Sequence, residues 1–185
     1  MILNLKIENF RSIKDQIDIS FEATKQRELQ DNFVKLPNIG NVLKSSVIYG
    51  ANASGKSNIL IAIKAMEYLV LNSTNFPPGK TIEPYEPFEL DSNTKNKPVL
   101  FELDFITEDS NRYIYHLSFS KQRIEKEELS FYPKKQRSVL FSRKDNTIKY
   151  GEYYKGERKS IEKKLLPNQL FLSKAVLDNV DILKP

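Results

Sequence analysis

The chain has 185 residues, a length that fits one domain or one domain-sized fragment. Hydrophobic residues make up 39% and aromatics 11%, all Phe and Tyr, which excludes a wholly disordered chain and leans toward strands. With no cysteine, disulfide frameworks and thiolate metal sites are excluded; the net charge of +5 suits a polyanion such as a nucleotide or DNA, and equally a lysine-rich solvated surface.

The start, Met1-Ile2-Leu3-Asn4-Leu5-Lys6, lacks the basic region and apolar run of a signal peptide. No uncharged apolar stretch approaches the ~20 residues of a membrane span. The expectation is a cytoplasmic chain with no membrane partner. Leu3, Leu5 and Ile7 alternate with polar residues, as in a half-buried strand, and Ile17, Ile19 and Phe21 repeat the pattern. The polar link from Arg11 to Gln16 predicts an antiparallel hairpin. Residues 24–44, mostly polar with Pro37 and Gly40, read as a loop with room for a short helical piece.

Ser46-Val47-Ile48-Tyr49 is an apolar run that stops at Gly50, as a buried strand would. From Ser57 to about Asn72 the chain is free of Gly and Pro, and Ile59, Leu60, Ile63, Met66 and Leu69 recur at roughly helical spacing. Residues 73–98 carry Pro77, Pro78, Gly79, Pro84, Pro87 and Pro98 and predict an irregular connection. Beyond it, Val99, Phe101, Leu103 and Phe105 form one stripe and Tyr113, Tyr115, Leu117 and Phe119 another, joined by the turn Glu108-Asp109-Ser110-Asn111. Further strands are expected over 124–132, 138–143 and 147–150, so 98–150 reads as an antiparallel meander. Residues 157–166 predict a charged helix stopped by Pro167. The segment from Gln169 to Val176 is apolar and of either type.

Gly50-Ala51-Asn52-Ala53-Ser54-Gly55-Lys56-Ser57 fits G-x-x-x-x-G-K-[ST] at every fixed position. Chance would give such a match in a chain this long on the order of one per cent of the time. Each residue type has a reason. The glycines let backbone wrap phosphate oxygens. The loop amides form an anion nest, and the helix that follows adds its positive end. Lys56 would reach the β- and γ-phosphates and is the catalytic candidate. The Ser57 hydroxyl would ligate Mg²⁺, which prefers oxygen. The expected cofactors are therefore ATP and Mg²⁺.

The longer string from Gly50 through Asn58-Ile59-Leu60 resembles the ATPase heads of the SMC, RecF and OLD-like group, ABC-type enzymes that act on DNA or serve in phage defence. Ile7-Glu8-Asn9-Phe10-Arg11-Ser12 resembles the first strand and turn of those heads. Pro87-Phe88-Glu89-Leu90 and Leu140-Phe141-Ser142-Arg143 are similar to the β region of an AAA-type, ABC-like family linked to abortive infection. The resemblance implies an α/β fold: a P-loop NTPase lobe of ABC-ATPase type with an antiparallel β-meander extension. It divides the chain into a hairpin, loop strand and helix over 1–75 and a β extension with the start of a helical region over 76–185. It implies that Asn52, Ala53, Ser54, Gly55, Lys56 and Ser57 cradle phosphates, that Asn58 flanks them and that Arg11 contacts the nucleotide.

Hydrolysis also needs a second-strand carboxylate on the metal and a water-positioning group. No apolar run ending in Asp-Glu and no Leu-Ser-Gly-Gly string occurs. Gln169 is a poor match to the glutamine loop. The chain thus resembles the first lobe of a larger head continuing past Pro185, inactive in hydrolysis by itself. Its expected partners are a C-terminal lobe or second head, with DNA and a nuclease or toxin partner as further candidates. The alternative is a non-enzymatic, nucleotide-gated DNA- or protein-binding module. A GTPase is disfavoured because Asn96-Lys97-Pro98-Val99 breaks the guanine-reading motif at its acidic position, and a kinase would need a lid rich in Arg.

The basic residues Lys134, Lys135, Arg137, Arg143 and Lys144, then Lys155, Arg158, Lys159, Lys163 and Lys164, could touch DNA. Glu152, Glu157 and Glu162 among them favour a solvated face. His116, the only histidine, has no cysteine or second histidine to complete a zinc site.

Overall fold

The computed structural model describes residues 1–23, 30–36, 39–108, 110–134, 136–178 and 180. The expectations for Pro37 in the polar loop, Asp109 in the turn, Lys135 in the basic cluster and Pro185 at the end lie outside the described residues.

Alternating sequence becomes one large sheet. β1 (Ile2–Glu8) pairs antiparallel with β2 (Ile17–Ser20), the expected hairpin. β5 (Val99–Ile106), β6 (Arg112–Phe119), β7 (Ile124–Phe131), β8 (Ser138–Lys144) and β9 (Thr147–Tyr150) run as the expected meander. β1 also pairs with β5, so strands from both ends of the chain share a seven-stranded sheet of order β2-β1-β5-β6-β7-β8-β9. Every ladder in it is antiparallel.

The period of two sorts the sheet into faces. Leu5, Ile7, Phe101, Leu117, Phe119, Leu129 and Phe141 are buried on one face. Across it lies α1 (Lys56–Asn72), whose Ala62, Ala65, Met66 and Leu69 join the same core. The opposite face carries a polar row in register across all seven strands: Asp18, Lys6, Glu102, His116, Glu128, Ser142 and Lys149. Within it Lys6 Nζ lies 2.8 Å from Glu102 Oε1 and His116 Nδ1 lies 3.4 Å from Glu102 Oε2.

Two expectations fail. The polar stretch 24–44 contains a second small sheet where it is described: β3 (Phe33–Leu36) pairs with β4 (Gly40–Leu43). Val42 is fully buried there with Leu3 and Ile106, and the Leu43 amide donates to the Phe21 carbonyl, so burial at one position pins a short polar hairpin to the main sheet. The apolar run 46–49 is not a buried strand. Val47 is 71% and Tyr49 87% exposed. A strand needs a ladder. Both edges of β1 are already occupied, and residues 46–49 pair with no described strand.

The charged helix is α2 (Lys159–Lys164), and the undecided segment is α3 (Phe171–Leu177). α3 begins where it does because a buried carboxylate meets its first amides. Glu127 Oε2 accepts from the Phe171 amide at 2.7 Å and Oε1 from the Leu172 amide at 2.8 Å and the Tyr115 hydroxyl at 3.0 Å. Arg143 lies 3.7 Å away and donates to the carbonyls of Asp145 (2.7 Å) and Gln169 (2.6 Å). Burial pushes the Glu127 carboxyl up, against the pull of Arg143 and the two amides. The solvated-face reading therefore fails for Arg143, which is 1% exposed. The chain neighbour of Glu127, Glu128, faces the opposite side of the sheet, in the polar row.

Candidate phosphate-binding site

Residues 50–55 form an irregular loop that leads directly into α1, whose first residues are Lys56 and Ser57. The backbone takes left-handed values at Ala53 (φ 63°) and Gly55 (φ 89°). Gly55 has a second reason to lack a side chain: a Cβ there would sit 2.7 Å from Ser12 Oγ. Gly50 needs the space alone, because a Cβ would meet Ser54 Oγ at 2.9 Å.

The loop's donors are available. The Ser54 amide reaches the Ala51 carbonyl at 3.3 Å, and the Asn58 amide reaches Gly55 at 2.9 Å. The amides of Asn52, Ala53, Gly55, Lys56 and Ser57 donate to no acceptor among the described residues. α1 has no side-chain cap and no acid in its first turn, so its positive end meets no built-in countercharge. Such a cluster of free amides on a helix of this length is the chemistry that a phosphate group satisfies.

Lys56 closes over this loop. Its Nζ donates to the carbonyls of Gly50 (2.8 Å) and Ala51 (2.6 Å) and lies 3.4 Å from Ser54 Oγ. Asn52, Ala53, Ser54 and Ser57 are exposed on the same loop. Ser57 offers one hydroxyl to a hard cation. No group of three or more acidic, His or Cys residues that could hold a metal occurs among the described residues. The set fits Mg²⁺, which keeps several waters and commonly takes few protein oxygens beside phosphate.

The remaining candidates have partners. Arg11 sits at φ 52° in the turn after β1, its Nε 2.9 Å from Glu86 Oε2 and its amide bonded to the Glu86 carbonyl. Asn58 donates from Nδ2 to Ser12 Oγ at 2.6 Å. Gln169 is buried, and its side chain donates to the carbonyls of Thr74 and Phe76 and accepts from the Leu166 amide, which leaves it no free group for a nucleotide. Arg158 lies against the rings of Tyr150 and Tyr154, at 4.8 and 5.6 Å.

Two residues at the site escaped sequence reasoning, Ser12 and Glu86. Ser12 ends the Asn9-Phe10-Arg11-Ser12 string. There Asn9 donates to the carbonyls of Thr94, Lys97 and Pro98, and the Phe10 ring packs edge-on against Phe101 at 5.2 Å. Each residue of that string ties the end of β1 to a different neighbour. No residue in it advertises a contact with the loop some forty positions on.

Among the described residues no helix is long and apolar enough to cross a membrane. Residues 45–181 match the family described as "AAA domain, putative AbiEii toxin, Type IV TA system". No curated protein matches the chain.

Proposed function

The chain belongs to this AAA-domain family, and we propose that it binds ATP with Mg²⁺ through residues 50–57, as the N-terminal lobe of an ABC-type ATPase head. The observation that carries this is the set of amides at Asn52, Ala53, Gly55, Lys56 and Ser57, which donate to no acceptor among the described residues at the start of α1. Those amides would take the phosphate oxygens. The Lys56 ammonium, now on two carbonyls, would exchange them for the triphosphate, and the Ser57 hydroxyl would hold the metal. Arg11 stands one residue from the Ser12 contact and would add charge from the side.

The bound metal would supply charge neutralisation of the triphosphate. Turnover needs carboxylates from elsewhere, so this chain alone binds nucleotide without hydrolysing it. The exposed run of Val47, Ile48 and Tyr49, next to the loop, is the surface a C-terminal lobe or second head would cover. The family's link to toxin–antitoxin systems supports a role in phage defence, in the cytoplasm, with DNA or a toxin partner downstream.

The test is equilibrium binding of ATP with Mg²⁺ alongside steady-state phosphate release. Wild type should bind and release no phosphate. Lys56→Ala should bind about tenfold more weakly or worse, since a charge-assisted contact is lost. Equal binding by the two proteins would remove the loop assignment, and phosphate release that vanishes in Lys56→Ala would show the chain to be a complete enzyme.

A further inference from the structure

The phosphate loop has few anchors. Its own hydrogen bonds are internal, and the residues before it are exposed. Of all the described side chains outside residues 50–58, one makes a hydrogen bond into that segment: Ser12, whose Oγ accepts from Asn58 Nδ2 at 2.6 Å. The same oxygen closes the space behind Gly55, 2.7 Å from where a Cβ would stand.

Ser12 is itself well placed to hold something still. The turn that bears it is clamped by reciprocal bonds, the Phe10 amide to the Ile13 carbonyl and the Ile13 amide to the Phe10 carbonyl, both 2.8 Å. The Arg11 amide ties it to Glu86, and the Asn9 side chain, 3% exposed, ties the strand end to the 88–98 segment.

We propose that Ser12 is a positioning residue for nucleotide binding. It fixes the junction of Gly55 and α1 through Asn58, and so sets the aim of the free amides, without touching the ligand. The inference rests on the nucleotide reading of residues 50–57. A preset cradle loses less freedom on binding, so loosening it weakens affinity.

The experiment measures ATP–Mg²⁺ binding and local hydrogen exchange for wild type, Ser12→Ala, Ser12→Thr, Asn58→Ala and the Ser12→Ala/Asn58→Ala double variant. Loss of one hydrogen bond should weaken binding about fivefold in Ser12→Ala and in Asn58→Ala. The double variant should be no weaker than either, because one shared contact is removed. Ser12→Thr, which keeps the acceptor, should bind as wild type. Exchange should quicken in the first turn of α1 in Ser12→Ala while β5 to β8 are unchanged, which a general loss of stability would not produce. Wild-type affinity in Ser12→Ala, or losses that add in the double variant, would overturn the proposal. If wild type binds no ATP, the nucleotide reading fails by itself, and exchange still decides: a first turn of α1 unaffected by Ser12→Ala sinks the positioning role, and selective quickening supports it.

Discussion

Arg143 and Lys56 are both cations that donate to main-chain carbonyls, one in the seam between the sheet and α3, the other over the phosphate loop. Arg143 is 1% exposed and has the buried Glu127 carboxylate beside it. Lys56 lies at the surface and has no carboxylate within ion-pair distance among the described residues. Leaving the seam would strand the Glu127 carboxylate as a buried charge without its cation, whereas Lys56 would pass from one set of oxygens to water or to another set at little cost. The same bonding is structural in one place and exchangeable in the other, and burial with a countercharge makes the difference.

The contrast can be broken by its strongest member. Glu127→Ala should strand Arg143 and uncap α3, lowering unfolding stability by about 3–5 kcal/mol in urea titrations. A loss under about 1 kcal/mol would mean that the seam holds no more tightly than the loop. Gly55→Ala acts on the other side. An alanine at φ 89° costs about 1–2 kcal/mol and pushes on Ser12. It should weaken ATP binding at least about tenfold while the sheet keeps its exchange protection. A variant that binds normally would show that loop geometry is not what the ligand reads.

The outer face of the sheet sharpens the comparison with a smaller effect. Glu102 is held down at about 2, chiefly by the hydrogen bond with His116; burial opposes this, and Lys6 adds to the lowering. A carboxyl that is more acidic in the folded chain stabilises it above the unfolded value near 4.3, and that contribution fades as pH falls toward 2. With partly exposed partners the amount is about 1–2 kcal/mol. Urea midpoints between pH 5 and 2 should fall less steeply for Glu102→Gln than for wild type. Identical slopes would dismiss the row as ornament.

Much of this was readable from residue order. The meander declared itself because Val99 to Phe105 and Tyr113 to Phe119 each carry an apolar stripe at every second residue and the turn between them is polar. The helix after Lys56 declared itself by its apolar spacing. The run at 46–49 misled because periodicity cannot tell an apolar strand with a neighbour from one without. The β3–β4 hairpin hid in polar residues, although Phe33-Val34 and Val42-Leu43 flanking Gly40 carried a faint hairpin signal. At the site, the need for a glycine at position 55 was legible, since the local string implied a backbone that a side chain would oppose. Ser12, Glu86 and the burial of Arg143 were not, since each depends on a partner far along the chain.

The pairing of Leu5 with Leu103 sets the order in which the molecule comes together. β5 to β9 are joined by short turns and can zip up as successive hairpins, whereas β1 must close a long loop to reach β5, a slower search. Pulse-labelled exchange during refolding should protect Leu117 and Leu129 before Leu5. On the ribosome the delay is longer still. The N-terminal hairpin emerges first and waits with one edge of β1 bare until β5 has been translated, open in that interval to the wrong strand. The turn that carries Ser12 settles only afterwards, so a nascent chain would complete its phosphate pocket only once β5 has paired with β1.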